Sequence, residues 1–269
     1  MPTLSRFFLA FLFVASHACA SGLVTAQPGE LPIVLTAPHG GREDVPGCEL
    51  RTPVGSRFVT STDLNTDALA ESVASEIKRL TGKAPYLVVA RFHRKYIDAN
   101  RRADEAYDGP ACGKVYDEYH AIVRRFVDEV RAKHVHAALF DIHGQARYPD
   151  SILRGTQHGS TVRSLLARSG AAALTGPNSV FGRFEASGYR IAPPNDLPAN
   201  ARAETQGYTG GHTVVSYGSN RTDGIDAIQL EFGRDLRRSG ALAKTAADTA
   251  KAIAVFYENY LKAAANTVR

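Results

Sequence analysis

The chain is built from short apolar runs that stop abruptly at polar residues and alternate with longer amphipathic stretches. Residues 31–37 form such a run, ending at Pro38-His39-Gly40-Gly41, where proline and glycine force a turn. Residues 85–92 and 137–142 form two more, the latter ending at His143-Gly144, and residues 225–232 form a fourth. Between them, residues 66–80 carry Leu69, Val73, Ile77 and Leu80 at helical spacing, with Gly82 as the stop. Residues 116–133 place Tyr119, Ile122, Val123, Phe126 and Val130 on one helical face. Further helices are predicted at 161–169 and at 241–261, the last turning Ile253, Phe256, Tyr260 and Leu261 toward the sheet. Strands alternating with helices require crossover connections, so the expected fold is a three-layer α/β/α sandwich around a mostly parallel central sheet. The Gly/Pro/Asn-rich region from 175 to about 224 is too long for a plain connection and is expected to be functional or to hold small extra elements.

A chain of 269 residues, 44% hydrophobic and 22% charged, is long enough for a full core. That balance excludes collagen-like, mucin-like and broadly disordered classes. Arg6, an apolar run over residues 7–15 and Ala18-Cys19-Ala20 make a secretory signal peptide, with cleavage expected after Ala20. The run is too short to span a bilayer, and no later segment approaches that length. The expectation is an exported or periplasmic protein with one catalytic domain over residues 21–269. In an oxidising compartment Cys48 and Cys112 could form a disulfide; two free thiols are the alternative. The net charge of +5 is spread along the chain, which gives no local support for a nucleic-acid surface.

Polar groups fall where the strands end. His39 closes the first run, His143 the third, and Glu231 sits near the end of the fourth. In a parallel sheet these carboxyl ends share one edge, where α/β proteins build their sites. Two histidines and a carboxylate meeting there suit a catalytic zinc centre. Singly, each is an ordinary polar residue at a strand end; the joint pattern is the signal. Asp141 points to the same side of its strand as His143 and is placed to orient an imidazole. The segment Arg94-Lys95-Tyr96-Ile97-Asp98-Ala99-Asn100-Arg101-Arg102 reads either as a solvated basic loop or as an anion pocket, since arginine suits bidentate carboxylate capture. Nucleophile chemistry has no support: there is no G-x-S-x-G, no C-x-x-C and no phosphate-binding glycine loop.

Taken in order, Pro38-His39-Gly40-Gly41, Thr62-Asp63-Leu64-Asn65-Thr66-Asp67-Ala68-Leu69, Ile97-Asp98-Ala99-Asn100-Arg101, Asp141-Ile142-His143, Gly210-Gly211-His212 and Gln229-Leu230-Glu231 resemble the N-formylglutamate amidohydrolase family. That family is similar to the zinc carboxypeptidase and aspartoacylase group, so the resemblance implies a zinc-exopeptidase-like fold and one zinc ion. It implies that His39 and His143 hold the metal. For the third ligand the carboxypeptidase position is occupied by Arg42, a departure; Asp63 is favoured, with Glu43 and Asp44 as alternatives and helix capping as the plain role for Asp63. Asn100 and Arg101, with Arg94, would grip a substrate carboxylate while Asp98 braces their loop. Glu231 would activate the water, and His212 is either a substrate contact or structural. The implied substrate is a small acidic N-acyl amino acid such as N-formylglutamate. Because that activity usually serves intracellular histidine breakdown, a carboxypeptidase-like or poly-γ-glutamate-type hydrolase is the alternative. A binding protein that kept the acidic-ligand pocket is the reading from another class.

Overall fold

A computed structural model of the chain describes residues 22–54, 58–196 and 203–262. The expected signal peptide lies outside them. The four predicted runs are strands β2 (Ile33–Ala37), β3 (Tyr86–Ala90), β4 (Ala138–Gln145) and β7 (Asp226–Gly233). Three further strands join them: β1 (Val24–Gln27), β5 (Ser151–Gly155) and β6 (Arg190–Ala192). The sheet order is β1-β3-β2-β4-β7-β5-β6. The β3-β2-β4-β7 centre is parallel, whereas β1 on β3 and β5 on β7 are antiparallel. The sheet is therefore mixed, with a parallel core.

Helix α1 (Thr66–Thr81) connects β2 to β3, and α3 (Pro110–Lys133), following the short α2 (Ala103–Ala106), connects β3 to β4. Helix α3 begins earlier than its apolar face announces, because Gly109-Pro110 supplies a helix start with proline in the first turn. The region from 175 to 224 contains small elements, as its length requires: α6 (Val180–Ala186), β6 and α7 (His212–Tyr217), preceded by α4 (Arg163–Ser169) and α5 (Ala172–Thr175). The described residues close with α8 (Ser239–Phe256) and a π-helical turn (Tyr257–Leu261).

Each sheet face has its own core. Ile33, Leu35, Leu87, Val89, Phe140, Ile142, Ile228 and Leu230 pack with α1, α6 and α8. Val34, Tyr86, Val88, Leu139 and Ala227 pack with α3 and α7. Strand side chains alternate faces, so the two sets interleave along each strand. On the α1/α8 face β4 and β7 stay apolar through Ile142 and Phe232. On the α3/α7 face they turn polar toward their carboxyl ends, as Asp141, His143, Gln229 and Glu231. Helices α1 and α3 cover opposite faces, so the sheet's winding reverses between β2 and β4. Such a switch point opens a crevice beyond the strand ends, and His39 and His143 emerge there.

Candidate active site

Parallel pairing of β4 with β7 sets Asp141 opposite Gln229 and His143 opposite Glu231, and β2 pairing sets Thr36 opposite Asp141. The imidazoles of His39 and His143, 104 residues apart, meet edge to face with ring centroids 4.7 Å apart. Asp63 arrives from the loop before α1; its backbone N–H donates to the carbonyl of His39 at 3.0 Å.

Each imidazole is held from behind by a buried carboxylate. Nε2 of His39 lies 2.6 Å from Oδ1 of Asp98, and Nε2 of His143 lies 2.7 Å from Oδ2 of Asp141. A carboxylate only accepts, so each Nε2 carries the proton and donates. Both Nδ1 atoms then turn toward one oxygen, Oδ2 of Asp63, at 3.3 Å from His39 and 3.5 Å from His143. The backbone N–H of Gly144 donates to that oxygen at 3.0 Å. One ligand atom from each of His39, Asp63 and His143 lies within 4.8 Å of the others, a group that could hold a metal ion. The donor chemistry fits a cation: three lone pairs converge, and both imidazoles are oriented from behind.

The electrostatics agree. Burial opposes ionisation of Asp63, yet the adjoining imidazoles of His143 and His39 hold its carboxyl below the usual range. Burial also disfavours a charged His143, but Asp141 and Asp63 pull its pKa well above the usual value. The cluster draws positive charge into its centre. Glu231 differs: burial raises its pKa, only partly opposed by His143, as suits a base.

These groups line a cavity of about 560 Å³ whose walls include His39, Asp63, Arg94, Asn100, Arg101, His143, Arg147, Tyr208, Gln229, Glu231 and Arg237. Arg94 is engaged internally, donating to Oδ2 of Asp98 at 2.9 and 2.8 Å and standing 3.5 Å from Asp63. Asn100 ties the loop to its surroundings, accepting from the backbone of Thr213 at 2.8 Å and donating to Gln229 at 3.3 Å. Arg101 lines the cavity from the same loop. Glu43 and Asp44 are exposed, Asp44 pairs with Lys95 at 3.1 Å, and neither lines the cavity or belongs to the group of ligand atoms formed by His39, Asp63 and His143. His212 is not among the lining residues; it sits against Tyr116 and Ser216, while Gly210 and Gly211 supply the wall.

Three features escaped the sequence reading. Asp98 does more than brace its loop: it orients His39. Gln229 donates to Oε1 of Glu231 at 2.8 Å, a contact that the i, i+2 spacing on one strand face could have signalled. Arg237 reaches the site through the backbone carbonyls of nearby Phe232 and of distant Gln145 and Leu64, and for the distant pair no local signal exists. Cys48 and Cys112 form a disulfide with Cα atoms 5.1 Å apart. Among the described residues no helix is long and apolar enough to cross a membrane.

Residues 110–237 match the family model described as N-formylglutamate amidohydrolase. The solved N-formylglutamate amidohydrolase of Ralstonia eutropha is similar in fold, with a TM-score of 0.60 at 17% identity, covering 88% of this chain and 97% of that one. A gene product of Agrobacterium tumefaciens aligns with a TM-score of 0.53 at 17% identity, covering 86% of this chain and 93% of its own. No curated protein matches the sequence significantly. The resemblance carried by the sequence motifs therefore agrees with both the family model matched over residues 110–237 and the fold of the solved N-formylglutamate amidohydrolase.

Proposed function

We propose that this protein is an exported, zinc-dependent amidohydrolase that cleaves the amide bond of a small acidic N-acyl amino acid such as N-formylglutamate. The observation that carries the reading is the convergence of His39 Nδ1, His143 Nδ1 and Asp63 Oδ2 beside the buried Glu231. His39, Asp63 and His143 would hold the ion. When bound, zinc supplies Lewis acidity toward a water and toward the scissile carbonyl. Glu231 takes a proton from the attacking water and delivers it to the leaving amine, a role worth about 10²–10⁴-fold. Gln229 holds Oε1 of Glu231 in place. Arg101, on the loop fixed by Asn100, anchors the substrate carboxylate so that the amide faces the base. Water crosses the amide C–N bond; for N-formylglutamate the products are formate and glutamate.

Export is supported by the basic, apolar and small-residue pattern of residues 1–20 and by the Cys48–Cys112 disulfide, which persists in oxidising compartments. Residues 21–269 are read as one catalytic domain.

The test is metal analysis joined to a substrate panel. The wild-type protein is expected to carry one zinc per chain and to release formate from N-formylglutamate, while His143→Ala loses both. Absence of stoichiometric metal, or zinc retained at wild-type level by the variant, would remove the proposed centre. A zinc protein inert toward N-formylglutamate but active on γ-glutamyl peptides would move the substrate to the alternative class.

A further inference from the structure

One buried arginine ties the segments of the site together. Arg237 is only 5% exposed and lines the cavity. Its Nε donates to the carbonyl of Phe232 at 3.1 Å, its Nη2 to the carbonyl of Gln145 at 3.4 Å, and its Nη1 to the carbonyl of Leu64. Those acceptors hold meaningful places in the chain. Phe232 directly follows Glu231, Leu64 directly follows Asp63, and Gln145 stands two residues after His143. The contact is reciprocated by Asn65, whose Nδ2 donates to the backbone carbonyl of Arg237 at 2.8 Å.

Packing adds a fourth connection. A Cβ placed on Gly144 would fall 2.3 Å from Cζ of Arg237, so the guanidinium occupies space that any side chain at 144 would claim. The N–H of Gly144 donates to Oδ2 of Asp63, the oxygen both imidazoles face. Among the described residues no carboxylate forms a salt bridge with Arg237. A buried cation bonded only to carbonyl oxygens is energetically costly, and a rigid fork of five donors is what arginine offers in return.

We infer that Arg237 is a positioning residue that sets the mutual placement of Asp63, His143 and Glu231, so that metal affinity depends on a side chain that is not a ligand. The inference rests on the zinc reading above. Arg237→Lys keeps the charge and loses the fork. Asn65→Gly removes the reciprocal bond while tolerating the left-handed φ of 65° at that position.

Each protein is stripped of metal, titrated with zinc alone against a competing chelator, and followed separately by circular dichroism through thermal unfolding. Arg237→Lys is expected to weaken zinc binding by about 10–100-fold while folded, the range typical of groups that orient metal ligands. Asn65→Gly should show a smaller loss in the same direction. A purely structural role lowers the melting temperature and leaves zinc affinity of the folded protein unmoved; that result overturns the inference. If Arg237→Lys does not fold, Asn65→Gly decides, and wild-type affinity in it is equally fatal. A wild-type protein that binds no zinc overturns the metal reading itself, whereas zinc-binding wild type with unaffected variants overturns this inference alone.

Discussion

The two oxygens of Asp141 divide their work: Oδ2 accepts from Nε2 of His143 at 2.7 Å, and Oδ1 accepts from the hydroxyl of Thr36 at 2.6 Å. The pair fixes which imidazole nitrogen carries a proton. In Asp141→Asn the carbonyl can still accept from Thr36, which turns the amide N–H₂ toward His143. The ring must then accept at Nε2 and carry its proton at Nδ1, the atom facing Asp63. Zinc affinity is expected to fall by at least about 10-fold, with little loss of fold. Zinc titration with thermal unfolding measures both, and an unchanged affinity refutes the orienting role.

Glu231→Gln keeps the size and the strand pairing but cannot accept the water's proton. The expected result is a kcat lower by about 10²–10⁴-fold with metal content unchanged. Near-normal turnover would take Glu231 out of the mechanism.

Burial gives the same carboxylate a pH signature. Its pKa is raised, and a general base works only when deprotonated, so under the proposed mechanism activity is expected to fall as pH drops through that raised value. The acid limb of kcat/KM should lie above the ordinary glutamate pKa of about 4.3. A rate still at its plateau at that pH would contradict the assignment.

Arg101→Ala is expected to lower kcat/KM for N-formylglutamate by about 10–100-fold, the size of one charged hydrogen-bonded contact. Metal content and melting temperature should hold. Equal efficiency in variant and wild type would show that the carboxylate is held elsewhere.

The disulfide closes a loop with a sequence separation of 64 residues, which restricts the unfolded chain. Replacing Cys48 and Cys112 by serine should reduce the free energy of unfolding by about 2–4 kcal/mol, read from the denaturant midpoint. A midpoint insensitive to the replacement would show that the bridge adds nothing to stability.

The central strands and main helices were legible because their pattern is local. An apolar run of buried-strand length and a 3.6-residue apolar period show in any short window, and β2, β3, β4, β7, α1, α3 and α8 carry those signals. The histidines and Glu231 were legible because each stands at or near the end of such a run. By contrast β5 and β6 are short and lie amid turn-rich sequence, and β1 is a four-residue edge strand. Their strand character comes from pairing to a sheet already formed.

What the sequence determined by itself was a set of candidate side chains and the elements that carry them, since residue type and period are properties of nearby positions. Only the tertiary structure decided how they share the work. It turned Arg94 inward to Asp98, gave His39 its carboxylate partner, took His212 off the cavity wall and brought Arg237 to three separate segments. Those relationships join residues between four and 173 positions apart. Most depend on which strands become neighbours and which nitrogen of a ring faces an acceptor, and only the packed chain fixes either.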